Sequence, residues 1–387
     1  MPKLKGKTSN NETVNKERDY KSKNNYYFQV DLLKAFIIIF VISEHALPWD
    51  IKNYMAVFLW QRLSIPFFMV ILGFNMGLSF KRTDETSLKK LYSWKYFKRK
   101  LWRYVFPYLI FYIISIIVGL IIYGNLETII SNQLYPLMDE RFLYLGISPF
   151  WGPGIWFIPI LFQTILFMPL IYKGFSSSTF KALLTLIFCF IINFTTHVLL
   201  FLFMGPTVDS LEEWRNISFF YLSITMYLGG IGLGMWFSRN ISIFNVRNIY
   251  LWFIFPLCAF YVILFQIDRH LYQIDFIRGD YNIIFYTYVA FIFLIILKII
   301  PKNPQNKLAK GISWIGKSSY HILLSQIFYF GIMKALIGDA ECMVGATDPL
   351  FCIQYDILAI IICVLFGVLW CYIETKIRNY RLNKKRI

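Results

Sequence analysis

Apolar residues in this chain fall in blocks of about twenty, and a helix of that length is long enough to cross a bilayer core of about 30 Å. Ten such blocks can be drawn, at 35–48, 60–80, 104–123, 154–172, 182–203, 217–237, 249–266, 282–300, 318–337 and 353–373. They are continuous runs and not alternating ones, which disfavours a membrane β-barrel. With 57% hydrophobic and only 16% charged residues, the chain is too apolar for a soluble protein, where roughly a quarter carry charge. The expected fold is all-α: a polytopic membrane protein with about ten transmembrane helices.

A formal net charge of +17 suggests a nucleic-acid partner until its placement is considered. Numbering the loops alternately collects the N-terminal stretch, 81–103, 173–181, 238–248, 298–317 and the C-terminal stretch on one face. That face holds all but seven of the 39 Lys and Arg residues, while most acids, among them Asp139, Glu140, Glu212, Glu213, Asp268 and Asp280, fall on the other. Lys and Arg in short loops stay on the cytoplasmic side. Both termini are therefore expected inside, in a multi-pass protein of the cell (plasma) membrane that contacts anionic membrane lipids. No soluble basic domain exists to grip a duplex, so no nucleic-acid partner is expected. Residues 1–27 are polar and rich in Lys and Asn and read as a disordered cytoplasmic tail. Residues 28–375 read as one membrane domain, followed by a basic cytoplasmic tail at 376–387.

Gly229, Gly230, Gly232 and Gly234 lie inside an apolar span with no strand before them, so a phosphate loop is a poor reading. Gly230 and Gly234, four residues apart, instead suit a close helix contact. Cys189, Cys258, Cys363 and Cys371 lie in or near apolar helices and read as packing residues. Cys342 and Cys352 flank the last outer loop, where an oxidising environment would permit a bridge that the sequence alone does not establish. No cysteine pair has zinc-site spacing, and no metal is expected.

Ionisable groups at membrane depth are costly unless something uses them, so each marks a candidate site. Of the four histidines, His270 reads as solvated in an outer loop. His197 and His321 lie near helix ends, where interfacial exposure or a helix-helix hydrogen bond satisfies them. His45 differs: it follows Lys34 and ten mainly apolar residues, with Glu44 beside it and Pro48-Trp49 ending the helix. Eleven residues at about 100° each return to nearly the same face, displaced by about 16 Å. A cation at the cytoplasmic mouth and an imidazole deep in the same groove suit an elongated anionic ligand, and imidazole exchanges a proton near neutrality. A snorkelling Lys34 and an interfacial His45 paired with Glu44 fit the spacing equally well. A second cluster, Lys98-Arg99-Lys100-Leu101-Trp102-Arg103, places Arg99 and Arg103 one turn apart, where both can face a phosphate-rich ligand. A cluster that merely enforces orientation fits as well.

At these residues the chain resembles the acyltransferase-3 family of bacterial integral membrane acyltransferases, over roughly residues 27–375. Five stretches carry the resemblance: VDLLKAFIIIFVISEHALPW, SIPFFMVILGF, YFKRKLWRYVFPY, IWFIPILFQTILFMPLI and ISWIGKSSYHILLSQ. The family's first helix bears an Arg, ten residues and a His, matched here by Lys34 and His45. Arg99, Arg103 and Pro107 match its basic stretch, Trp156 and Phe157 its fourth-helix signature, and Gly316, Ser319 and Tyr320 the start of the penultimate helix. Three positions depart: Lys34 keeps the charge but loses the bidentate fork of Arg, Leu72 stands where relatives usually have Ser, and Ser325 where many place a second His.

The resemblance implies transfer of an acyl group, usually acetyl, from cytoplasmic acyl-CoA to a hydroxyl of a cell-surface glycan or lipid-linked sugar. Acyl-CoA (acetyl-CoA) is then a co-substrate, and no permanently bound cofactor is implied. His45 takes the role of base or acyl carrier, with Glu44 as its orienting partner. Lys34, Arg99 and Arg103 hold the coenzyme A phosphates, and Trp156, Tyr320 and Ser325 are pocket residues. Two rivals remain: a transporter or flippase of glycan intermediates, and a non-catalytic component of a glycan assembly complex. No symmetry of two repeated halves supports the transporter.

Overall fold

A helix is the element that satisfies every backbone hydrogen bond within one segment, which is why apolar blocks bound for lipid become helices. In the computed structural model the described residues are 27–56, 63–83, 85–125, 152–204, 220–239, 249–268, 274, 279, 281–337 and 349–384. Every regular element among them is helical. In chain order these are α1 (Phe28–Ala46), α2 (Trp49–Tyr54), α3 (Ser64–Lys81), α4 (Leu88–Leu91), α5 (Trp94–Lys100), a π-helical turn (Leu101–Val105), α6 (Phe106–Tyr123), α7 (Phe157–Phe175), α8 (Thr179–Met204), a 3₁₀ turn (Ile224–Tyr227), α9 (Leu228–Arg239), α10 (Tyr250–Ile267), α11 (Ile283–Ile299), α12 (Lys307–Lys317), α13 (Ser319–Ile337) and α14 (Pro349–Lys384).

Seven helical stretches among the described residues are long and apolar enough to cross a membrane: Ser64–Lys81, Leu88–Tyr123, Phe157–Phe175, Thr179–Phe203, Tyr250–Ile267, Ser319–Ile337 and Pro349–Tyr380. The other three expected spans are helical but fall short. α1 carries Asp31, Lys34 and Glu44 within its 19 residues. α9 has 12 residues and α11 has 17. These three are inner helices. Gly229 to Ser238 of α9 are all buried, so the chain around them, and not lipid, supplies their apolar surroundings. The outer helices present the lipid-facing side chains: Ile113, Ile117 and Ile121 on α6, Phe188 and Ile191 on α8, Phe253, Leu257 and Phe260 on α10, and Leu358, Ile361 and Leu365 on α14 are exposed. A broad apolar exterior of this kind is at home only in lipid.

Glycines set the innermost contact. α3 and α9 pack as a close pair. A Cβ on Gly73 would lie 2.1 Å from the Ile231 carbonyl oxygen, and one on Gly234 would lie 2.0 Å from that of Val70. The two backbones touch directly, as the Gly230/Gly234 spacing predicts. On the other side of the bundle Gly316 of α12 sits on the backbone of Asp31, and Gly367 of α14 on Ile322 of α13. α1 is thus held against α3, α12, α13 and α14.

Side-chain hydrogen bonds fix the remaining joints. Asn282 accepts from the Ile284 and Phe285 amides and starts α11, and Asn306 accepts from the Ala309 amide and starts α12. His197 of α8 bonds the Tyr281 carbonyl at 2.9 Å, just ahead of α11. Residues 1–26 and the loops carrying His270 and Cys342 lie outside the described residues. Cys352 is disulfide-bonded, whereas Cys189, Cys258, Cys363 and Cys371 are free. The segment expected to form the basic tail continues α14 as helix to Lys384.

Candidate active site

Pro107 shapes the basic end of the bundle. It has no N–H to give to the carbonyl four residues back, so the regular ladder cannot run through Arg103. The chain takes the wider π turn at Leu101–Val105 instead, a distortion found often at functional sites. The carbonyl of Tyr104 accepts a hydrogen bond from the Tyr320 hydroxyl at 2.7 Å, tying this turn to α13. The turn leaves Lys100 and Tyr104 buried, while Arg99 and Arg103 stay exposed.

A cavity of about 490 Å³ opens at this end, within the ordinary range for small-molecule sites. Five cations line it: Lys34 of α1, Lys100 and Arg103 from the segment just described, Lys317 of α12 and Arg378 of α14. Phe68, Leu72, Phe157, Leu161 and Leu323 give it apolar walls. Between them sits an imidazole-carboxylate pair: His321 Nε2 lies 2.8 Å from Glu374 Oε2. Cys371 lines the same wall, one turn from Glu374. Cys371, Glu374, Thr375 and Arg378 follow one another at helical spacing and therefore share a face of α14.

Lys34 is held in place from two sides. Its ammonium lies 2.7 Å from Asp31 Oδ1, and the second oxygen of Asp31 accepts from the Ser313 hydroxyl at 3.2 Å. Gln29 donates to the Ile300 carbonyl at 2.9 Å. These bonds clamp the first turns of α1 to the segment that carries Lys317.

The expected site residues divide. Lys34, Arg103 and Tyr320 line the cavity; Arg99, one turn from Arg103, does not. His45 and Glu44 also lie outside its lining, about 16 Å farther along α1 than Lys34. The His45 ring meets Phe330 edge-on at 6.2 Å between centroids. Glu44 Oε1 lies 3.8 Å from the Lys52 ammonium. Their neighbour Ser43 donates to Asp356 Oδ2 at 3.1 Å, so this end of α1 forms a second polar cluster. Trp156 packs in an aromatic group with Tyr227 and Tyr281, 6.2 and 5.8 Å away. Ser325 donates to the His321 carbonyl of its own helix at 2.8 Å. The imidazole that shares a cavity with Lys34 and Arg103 is thus His321, not His45.

Of the other polar lining residues, the sequence reading placed Lys100 in its basic cluster without a role of its own, satisfied His321 at a helix end, took Cys371 for a packing residue, and named no role for Lys317, Glu374 or Arg378. Glu374 falls one residue beyond the apolar block drawn to 373, in helical register with it. Among the described residues no cluster of three or more His, Cys, Asp or Glu is placed to hold a metal ion.

No curated protein and no solved structure matches the chain at a significant level. The model of an acyltransferase domain does match, over residues 27–374, which covers every residue of the cavity except Thr375 and Arg378. An all-helical chain with lipid-facing helices, a cation-lined cavity and this match belongs to the acyltransferase-3 family of membrane acyltransferases.

Proposed function

We propose that the protein transfers an acyl group, acetyl by family habit, from cytoplasmic acyl-CoA to a hydroxyl of a cell-surface or lipid-linked glycan. One observation carries this reading: five cations line a cavity whose remaining walls are largely apolar. The phosphates of coenzyme A suit the cations, and the thioester arm suits Phe68, Leu72, Phe157 and Leu323. The cations then face the cytoplasm, and both termini lie on that side. The distribution of Lys and Arg supports this orientation. So does the disulfide of Cys352, which needs an oxidising compartment, at the end of α14 opposite Arg378 and Lys384.

Chemistry requires a base near the acceptor hydroxyl as it attacks the thioester carbonyl. In this proposal His45 fills that role, or carries the acyl group in transit. Leu323 lines the cavity, and Phe330, two turns on along α13, touches His45. The arm would follow that line from the cations to the imidazole. Glu44 and Asp356 lie beside the end of the route and suit a polyhydroxylated acceptor. A second reading makes His321 the base, favoured by its place in the cavity and its bond to Glu374.

Purified protein with radiolabelled acyl-CoA and glycan acceptor tests both readings. His45→Ala should abolish transfer at unchanged coenzyme A affinity, whereas His321→Ala should weaken donor binding first. Loss of transfer in His321→Ala alone reassigns the base. A transporter would move the glycan without labelling it, and a non-catalytic scaffold would tolerate both substitutions.

A further inference from the structure

The two ring nitrogens of His321, a residue only 8% exposed, meet different surroundings. Nε2 lies 2.8 Å from Glu374 Oε2, whereas Nδ1 is buried with no hydrogen-bond partner among the described residues. A carboxylate that holds one nitrogen orients the ring and leaves the other to exchange a proton. The group placed to exchange one is Cys371. Its thiol lies against the same imidazole, and the neighbouring Trp370 ring meets that of His321 at 5.4 Å between centroids. Cys371 and Glu374 are three residues apart and adjoin on one face of α14. All three side chains line the cavity. Cys371 is half-buried there, while the free cysteines Cys189, Cys258 and Cys363 are buried and do not line it.

We propose that Cys371 is a nucleophile that takes the acyl group from the donor, so that the protein carries it as an S-acyl thioester. This rests on the donor reading of the cavity and makes His321 the base of the loading step. The thiolate is the reactive form of cysteine, and an adjacent imidazole steadied by a third group produces it. With the thiol proton on His321, Cys371 Sγ attacks the carbonyl carbon of the donor thioester. The bond from that carbon to the coenzyme A sulfur breaks. The coenzyme A thiolate takes the proton from His321, and free coenzyme A leaves. One thioester replaces another, so the step needs no further reactant. The acceptor hydroxyl then attacks the Cys371 thioester, and the hydroxyl proton ends on the restored thiol. Donor and acceptor therefore occupy the cavity in turn, not together.

The test needs no acceptor. Full-length protein in nanodiscs receives unlabelled acetyl-CoA together with radiolabelled free coenzyme A, and the passage of label into acetyl-CoA is followed. Wild type should exchange the label. After an acid quench, peptide mass spectrometry should find acetyl on Cys371, released by neutral hydroxylamine. His321→Ala should slow exchange about 100-fold or more at saturating acetyl-CoA. Cys371→Ala, and Cys371→Ser which is closer in size, should abolish exchange while binding coenzyme A as wild type does. Cys363→Ala should exchange at the wild-type rate. Undiminished exchange by Cys371→Ala, as an acyl group carried on His45 would give, overturns the proposal. So does a wild type that binds coenzyme A but neither exchanges label nor gains acetyl on Cys371; that result removes the covalent step and leaves the donor reading standing. Failure of the wild type to bind coenzyme A in direct titration removes the donor reading itself.

Discussion

Gly234→Ala is a severe test of the packing described above. The added Cβ would lie 2.0 Å from the Val70 carbonyl oxygen and 2.6 Å from the Phe74 amide nitrogen. Ordinary carbon contacts begin near 3.5 Å, so α3 and α9 would have to part by more than about 1 Å. The obstacles are backbone atoms and cannot rotate away. Overpacking of this kind costs about 1–3 kcal/mol, and a rigid obstacle places the cost near 3 kcal/mol. At about 2–4 °C per kcal/mol, the loss in Tm should be about 6 °C or more. α3 also carries Phe68, Ile71, Leu72, Asn75, Met76 and Ser79 of the cavity wall, so donor affinity should fall together with stability. Gly311→Ala is the matched control: its Cβ meets nothing within 4 Å on α12. There the substitution removes only backbone freedom and should stabilise by about 0.5–1 kcal/mol. Thermal unfolding in one detergent, with coenzyme A titration on the same samples, reads both effects. A Tm for Gly234→Ala within 1 °C of wild type, or a fall of equal size in Gly311→Ala, would refute the close-contact reasoning.

Three further outcomes follow from the site. Asp31→Asn removes the carboxylate shared by Lys34 and Ser313; with a largely buried ammonium left unpaired, stability should drop by about 3 kcal/mol, measured by thermal unfolding. Glu374→Gln keeps a hydrogen-bond acceptor for His321 but removes the charge, and turnover with acyl-CoA should fall about 10-fold while expression is unchanged. Cys371 lines the cavity and Cys363, two turns away on α14, does not. Coenzyme A should therefore slow maleimide labelling of Cys371 and leave Cys363 unaffected, as read by peptide mass spectrometry.

Helical architecture was legible because lipid imposes it. A run such as 104–123 has no other stable state in a bilayer core. The α3–α9 contact was half legible: the Gly230/Gly234 spacing marks a close approach, but the partner, Gly73 with Val70, stands more than 150 residues away and carries no matching period. Seven of the ten expected spans have the length and hydropathy of a lipid-crossing helix among the described residues. α1 carries three charges, and α9 and α11 are shorter than the rest.

The candidate site divides along the same line. Lys34 and Arg103 announced themselves through spacing and charge, and the family pattern added Tyr320. His321 did not, because an imidazole near a helix end has many harmless explanations until Glu374 is seen 2.8 Å away, 53 residues along the chain. Spacing along one helix is fixed by a rise of 1.5 Å per residue and can be computed from the letters. It placed His45 on the same face as Lys34, about 16 Å deeper. Which imidazole shares a space with the cations depends instead on how α1, α12, α13 and α14 approach one another. That approach is decided by contacts such as Gly316 on Asp31 and Gly367 on Ile322. The chain alone therefore determined that it must be a helical membrane protein with one basic end, since solvation by lipid acts on each segment separately. Only the packed bundle decided which charges meet, because that depends on distances between helices and no single helix encodes them.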